Sequence, residues 1–183
     1  MKASFLFNLI SNEQVKYCTI GFYYESEYIY DYESFIMKFH EQEKTITLLN
    51  QINLNDQITN FIETFENSKQ CSLQIILVNE NLIKEYLELV WRKYMTRSSF
   101  KYLIFIPDNL TSSELVEKIP NIKDFESLTM IQESKDQVFD CYSFCPSCSS
   151  FDRLYTKHFK TWTKGNNLIQ ITIIIFKIWS NNF

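Results

Sequence analysis

Apolar residues along this chain follow two alternating rhythms. Compact apolar runs, Cys18–Tyr24, Thr45–Leu49, Leu73–Val78, Tyr102–Ile106 and Ser127–Ile131, read as strand cores. The two central runs are nearly all apolar, as expected of parallel strands buried on both faces. Between the runs, apolar residues recur at helical spacing. Tyr32, Phe35, Ile36 and Phe39 form one stripe, and Ile58, Phe61, Ile62 and Phe65 form a second with Asn55 or Asp56 placed to cap it. The longest helix is predicted from Leu82 to Met95, with Leu82, Ile83, Tyr86, Leu87, Val90, Trp91 and Tyr94 on one side. Thr111-Ser112-Ser113-Glu114 is a capping box that opens a short helix through Leu115, Val116 and Ile119, which Pro120 ends. A fifth helix is predicted from Ser150, its stripe running through Phe151, Leu154, Tyr155, His158, Phe159 and Trp162 to a stop at Gly165. Gln137–Phe144 reads as a further strand. The strand-then-helix unit returns about every 28 residues, the length of a βαβ unit. The expected fold is α/β, an open, mostly parallel sheet with helices on both faces. Residues 1–165 are expected to form one α/β lobe and 166–183 an apolar C-terminal strand or tail.

Glycine changes what such a layout can do. The chain has two, Gly21 and Gly165, and neither belongs to a glycine-rich turn. A phosphate cradle needs glycine so that backbone N–H groups can close on the anion. The pattern therefore points away from NAD enzymes and NTPases, toward a non-catalytic binding or structural lobe without a cofactor.

Composition narrows the class further. At 183 residues with 45% hydrophobic side chains, the chain can bury a core as one domain. A net charge of −4 with mixed signs leaves no broad basic face, so no nucleic-acid partner is expected. Phe22-Tyr23-Tyr24 and Tyr28-Ile29-Tyr30 lack the interleaved Lys or Arg of a base-stacking platform and are expected to pack in the sheet. Lys2 precedes a short apolar stretch broken by Asn8, with no small-residue cleavage site after it, so a signal peptide is not favoured. Leu168 to Trp179 is apolar and β-branched but falls short of the roughly 20 residues a membrane helix needs.

Candidate chemistry centres on cysteine. Cys141, Cys145 and Cys148 have C-x3-C-x2-C spacing, which three irons of a cubane cluster could use. The large barrel and glycines of radical enzymes built on that motif are missing. A zinc site would take its fourth ligand from His158, Cys18 or Cys71. The ordinary reading is one disulfide among these three or buried thiols, with at least one of the five cysteines left over. His40 and His158 both fall in helical patterns and read as helix-surface residues. Glu25, Glu27, Glu80, Asp108 and Glu133 follow strand ends, where open α/β sheets bind ligands and an acidic rim can hold Mg²⁺. Asn109-Leu110-Thr111 is an N-glycosylation sequon on a loop, making Asn109 a glycan candidate in a secreted chain.

From about Leu73 to Gln170 the order of features resembles the amino-terminal extracellular region of arthropod-type ionotropic receptors, the variant ionotropic glutamate receptors. The residues that carry the likeness are Tyr102-Leu103-Ile104-Phe105, Tyr142-Ser143-Phe144-Cys145-Pro146, Cys148 and Trp162. The resemblance implies a periplasmic-binding-protein-like lobe on the extracellular side of a chemosensory ligand-gated channel. Its partners would be other receptor subunits or the remaining receptor domains, with the membrane reached only through segments outside this chain. The family's ligand-binding lobes and pore should follow Trp162, so the expectation is a partial gene model or truncated product. The alternative is a small cytoplasmic α/β enzyme, a metal-dependent hydrolase using the acidic rim.

Overall fold

The computed structural model describes Leu6 and residues 18–25, 36–37, 46–49, 51–68, 71–93, 95, 100–134, 138–144 and 156–162. Among them seven strands form one sheet: β1 (Thr19–Tyr24), β2 (Ile46–Leu49), β3 (Ser72–Leu77), β4 (Phe100–Phe105), β5 (Leu128–Ser134), β6 (Val138–Phe144) and β7 (Thr156–Trp162). Their order across the sheet is β2-β1-β3-β4-β5-β6-β7. β1 to β5 are mutually parallel; β6 runs antiparallel to β5, and β7 antiparallel to β6. The fold is α/β with a mostly parallel sheet.

Strand direction decides where the helices go. α1 (Leu54–Ser68), α2 (Glu80–Arg92) and α3 (Ser112–Lys118) each lead the chain the same way across the sheet, from β2 past β1 to β3, then to β4 and β5. Right-handed crossovers put all three on one face. The β1-to-β2 crossover runs the other way and so belongs on the opposite face; within it Ile36 and Met37 are helical. The core repeats this division. Tyr23, Ile76, Tyr102, Ile104 and Met130 from the strands pack with Ile58 and Phe61 of α1, Ile83, Tyr86, Leu87 and Val90 of α2, and Leu115 and Val116 of α3. Ile20, Phe22, Leu73, Ile75, Leu103 and Phe139 are buried outside that cluster, with the helical Leu6 fully buried as well. Strands buried on both faces lose the polar-apolar alternation of half-exposed strands, which is why β3 is buried along its whole length.

Local signals explain the helix ends. Asn79 caps α2, its side chain accepting the Leu82 N–H at 3.1 Å. The four core residues of α2 fall at i, i+3, i+4 and i+7. α3 carries the full capping box. Thr111 Oγ1 accepts the Glu114 N–H at 3.3 Å, and Glu114 Oε2 accepts the Thr111 N–H at 2.8 Å. Thr111→Ala is expected to cost about 1 kcal/mol, the usual worth of an N-cap side chain, as read from the urea midpoint. Hydrogen bonds to the Thr111 side chain and backbone hold the Glu114 carboxyl below its usual range. A depressed carboxyl stabilises above its unfolded pKa and stops doing so as pH falls through the folded value. Acid should therefore loosen α3 only as pH falls below the usual carboxylate range.

Several expectations are corrected. α1 begins at Leu54, so Asn55 and Asp56 occupy its first turn rather than its cap. Asn53 precedes it at φ 61°, a left-handed conformation that asparagine tolerates, and its carbonyl accepts the Gln57 N–H at 3.0 Å. Trp91 is 40% exposed rather than packed in the core, its Nε1–H donating to Asp124 Oδ2 at 2.8 Å. The predicted fifth helix is wrong where described: residues 156–162 are β7. Thr156-Lys157-His158-Phe159-Lys160-Thr161-Trp162 satisfies a helical stripe and also a β-branched and aromatic strand pattern. Pairing with β6 along Phe139 to Phe144 settles it as strand. Gly165 and the apolar segment 166–183 lie outside the described residues.

Candidate functional site

In open α/β sheets, ligands sit beyond the carboxyl ends of the strands, where strand order reverses. Here that reversal lies between β1 and β3. Glu25 follows β1 and Asn79 follows β3, and they close on each other. The Glu25 carboxylate accepts the Asn79 backbone N–H at 2.8 Å and the Asn79 side-chain amide as well. A carboxylate of the chain itself thus sits at the amino end of α2, where an anion is favoured. Glycine-poor turns and this clasp leave the switch point occupied by protein.

The space lies one strand over. A groove of about 300 Å³ is lined by Leu77–Asn79 at the end of β3 and by Phe105–Asn109 at the end of β4. Its apolar floor comes from strand residues that are nearly fully buried. Its lip is a turn closed by the Leu110 N–H on the Pro107 carbonyl at 2.9 Å. Asp108 and Asn109 stand exposed at the apex. Gln132 of β5 fixes the turn from below, its Nε2 donating to the Leu110 carbonyl at 3.1 Å. A shallower depression of about 440 Å³ lies between the start of α1 and the outer side of α2, lined in part by Asp56, Glu85, Glu88 and Arg92.

The rim carboxylates are dispersed. Glu25 is held by Asn79, and Glu80 pairs with Lys118 at 2.9 Å, tying α2 to α3. Asp108 is on the groove lip, and Glu133 lies within β5 opposite Phe139. Glu27 is outside the described residues. Among the described residues no three His, Cys, Asp or Glu side chains gather as metal ligands.

The cysteines divide differently from the spacing. Cys18 and Cys71, considered above as zinc ligands, form a disulfide with Cα atoms 4.5 Å apart. Joined sulfurs are not thiolates, so neither can be the fourth ligand. The bond links the amino-terminal ends of β1 and β3, the end of the sheet away from the groove, beside the Thr19 N–H on the Cys71 carbonyl at 2.8 Å. Cys141 is a fully buried thiol in β6, between Ile131 of β5 and Lys160 of β7 in register. Cys145 and Cys148 lie outside the described residues. His158 is in β7 opposite Tyr142, not on a helix, and His40 is outside the described residues. Phe22 and Tyr23 are buried in the sheet, while Tyr28-Ile29-Tyr30 lies outside the described residues.

Sequence reasoning missed a polar network under α2. Gln74 sits in the middle of β3 and is buried. Its Oε1 accepts the Tyr86 hydroxyl at 2.7 Å and its Nε2 donates to Ser72 Oγ at 3.0 Å. Tyr23 stacks on Tyr86 with ring centres 5.2 Å apart, its hydroxyl buried without a hydrogen-bond partner among the described residues. Tyr102 donates to the Met95 carbonyl at 2.6 Å. Burial, helped by the Glu85 and Glu25 carboxylates, pushes the Tyr23 phenol up to about 12. Burial raises Tyr86 and Tyr102 well above their ordinary value too. Raised phenols leave stability intact below their unfolded pKa near 10 and remove it as pH climbs through the folded value. These three of the chain's eleven tyrosines should form phenolate only as the protein unfolds above that pH. Ultraviolet phenolate absorbance followed alongside circular dichroism checks this.

No protein-family model matches the chain, and no curated protein matches it. The described residues form an α/β fold with a mostly parallel sheet whose switch point is closed by Glu25 and Asn79. Among the described residues no helix is long and apolar enough to cross a membrane.

Proposed function

We propose that the chain is a non-catalytic extracellular lobe of a divergent, chemosensory-type ligand-gated receptor, serving assembly or ligand modulation within a larger protein. The Cys18–Cys71 disulfide is the observation that carries this reading, because such bonds persist in oxidising compartments and are rare in the cytosol. Support also comes from the clasped switch point, where the Glu25 carboxylate takes the Asn79 N–H at the amino end of α2. Strand order alone does not choose, since binding lobes and nucleotide enzymes share it. In this reading the fold is a periplasmic-binding-protein-like lobe, and Cys141, Cys145 and Cys148 are structural.

A thiol count on protein trapped in its native cell tests the proposal. Denatured without reductant, the chain should show at most three reactive thiols of its five, with the Cys18 and Cys71 peptides joined. Five reactive thiols would mean a reducing compartment and favour the cytoplasmic alternative. Mature transcripts offer a second check. The reading expects apolar spans of about 20 residues encoded downstream.

A further inference from the structure

We infer that Asn109 carries an N-linked oligosaccharide, attached before α3 folds, which overhangs the strand-end groove. The inference rests on the secretory route in the proposed function. Asn109-Leu110-Thr111 is the one N-x-[ST] sequence in the chain. The fold puts Asn109 where a glycan can leave the surface. It is exposed at the apex of the turn that the Pro107 carbonyl and Leu110 N–H close, while Leu110 is buried and anchors that turn. Any group on its side-chain nitrogen would stand at the lip of the groove that Asn109 itself helps to line.

Thr111 sets the order of events. The transferring enzyme must read the hydroxyl two residues after the asparagine. In the folded chain that hydroxyl accepts the Glu114 N–H and donates to Glu114 Oε2 at 2.8 Å, so its one donor hydrogen and one of its two lone pairs are held by the cap of α3. The sequon is open only while α3 is unformed. In the transfer, the Asn109 side-chain nitrogen forms a bond to the anomeric carbon of a lipid-diphosphate oligosaccharide. The sugar–diphosphate C–O bond breaks, the lipid diphosphate leaves with that electron pair, and the amide nitrogen gives up one proton.

Expression of the full chain behind an added secretory leader in a glycosylating cell is the test. Wild type should show a single endoglycosidase-sensitive mass step, absent in Asn109→Gln, retained in Thr111→Ser and lost in Thr111→Ala. Secreted wild type at its bare polypeptide mass, or a step that survives in Asn109→Gln, overturns the site. Oxidised, folded chain given the transferase and its lipid-linked donor should react roughly tenfold or more slowly than reduced, denatured chain, because local opening of the cap limits it. Equal rates overturn the order. Hydroxyl-radical oxidation of Pro107 should rise when the glycan is removed, and an unchanged footprint overturns the overhang. The added leader separates the two readings. A chain that takes the glycan behind the leader but shows five reactive thiols in its native cell sinks the receptor proposal and leaves the site standing.

Discussion

Removing the Cys18–Cys71 bond should lower stability by about 2–4 kcal/mol. The two cysteines are 53 residues apart in sequence. In the chain-entropy account, a loop of that length left unclosed gives the unfolded ensemble freedom worth about 4 kcal/mol at 25 °C. Residual structure in the unfolded chain trims the figure. The native fold itself should survive, because β1 and β3 keep their parallel register from Thr19–Ser72 to Tyr24–Leu77. Urea unfolding of wild type against the Cys18→Ala, Cys71→Ala double variant measures the loss directly. Dithiothreitol should then shift the wild-type midpoint toward that of the double variant. A wild-type midpoint already equal to the double variant's before any reductant would mean that the bond is not present in solution.

Gly21→Ala should cost about 2–6 kcal/mol, although it adds a single methyl group to a strand. Gly21 lies opposite Gln74 in the β1–β3 register. A Cβ there would overlap the Gln74 carboxamide. The carboxamide cannot simply swing aside, since it holds the Tyr86 hydroxyl and Ser72 Oγ in the interior. Overpacking costs about 1–3 kcal/mol. A buried polar group left unsatisfied costs about 1–3 kcal/mol more. Two steric tests follow from the same geometry. Tyr86→Phe should lose the hydrogen bond and keep the ring stacked on Tyr23. Gly21→Ala should cost far less when Gln74 is already alanine, and this non-additivity in a double-mutant cycle is the signature of the clash. Strictly additive costs would assign the glycine some other role.

Much of this fold was legible because its signals are local. β3 is a fully buried run and β1 and β4 are nearly so, and such runs announce themselves without alternation. The stripe Ile83, Tyr86, Leu87 and Val90 fixes which side of α2 faces the sheet. The capping box at Thr111 and Glu114 places the start of α3 to the residue. Each of these depends on neighbours within a turn or two of the chain.

The candidate site was legible only in outline. Glu25, Glu80 and Asp108 do follow strand ends while Glu133 lies within β5, and none of these carboxylates could be judged until its partners were known. Glu25 meets Asn79 across 54 residues of sequence, and Glu80 meets Lys118 across 38. The compact cluster at Cys141, Cys145 and Cys148 drew attention because it is local, whereas Cys18 and Cys71 share no readable spacing. β7 shows the same limit from the other direction. Its residues fit a helix and a strand alike, and the unpaired hydrogen-bonding edge of β6 decided between them.

By itself, then, the sequence determined the alternation of buried strands and amphipathic helices, the caps, and the absence of glycine turns able to hold a phosphate. Tertiary structure alone decided that Cys18 joins Cys71, that Gly21 exists to make room for Gln74, and that residues 156–162 extend the sheet. The physical reason is range. Periodicity and capping are energies between residues a few positions apart, while a disulfide, a cross-strand overlap and a shared sheet edge exist only after distant segments have met.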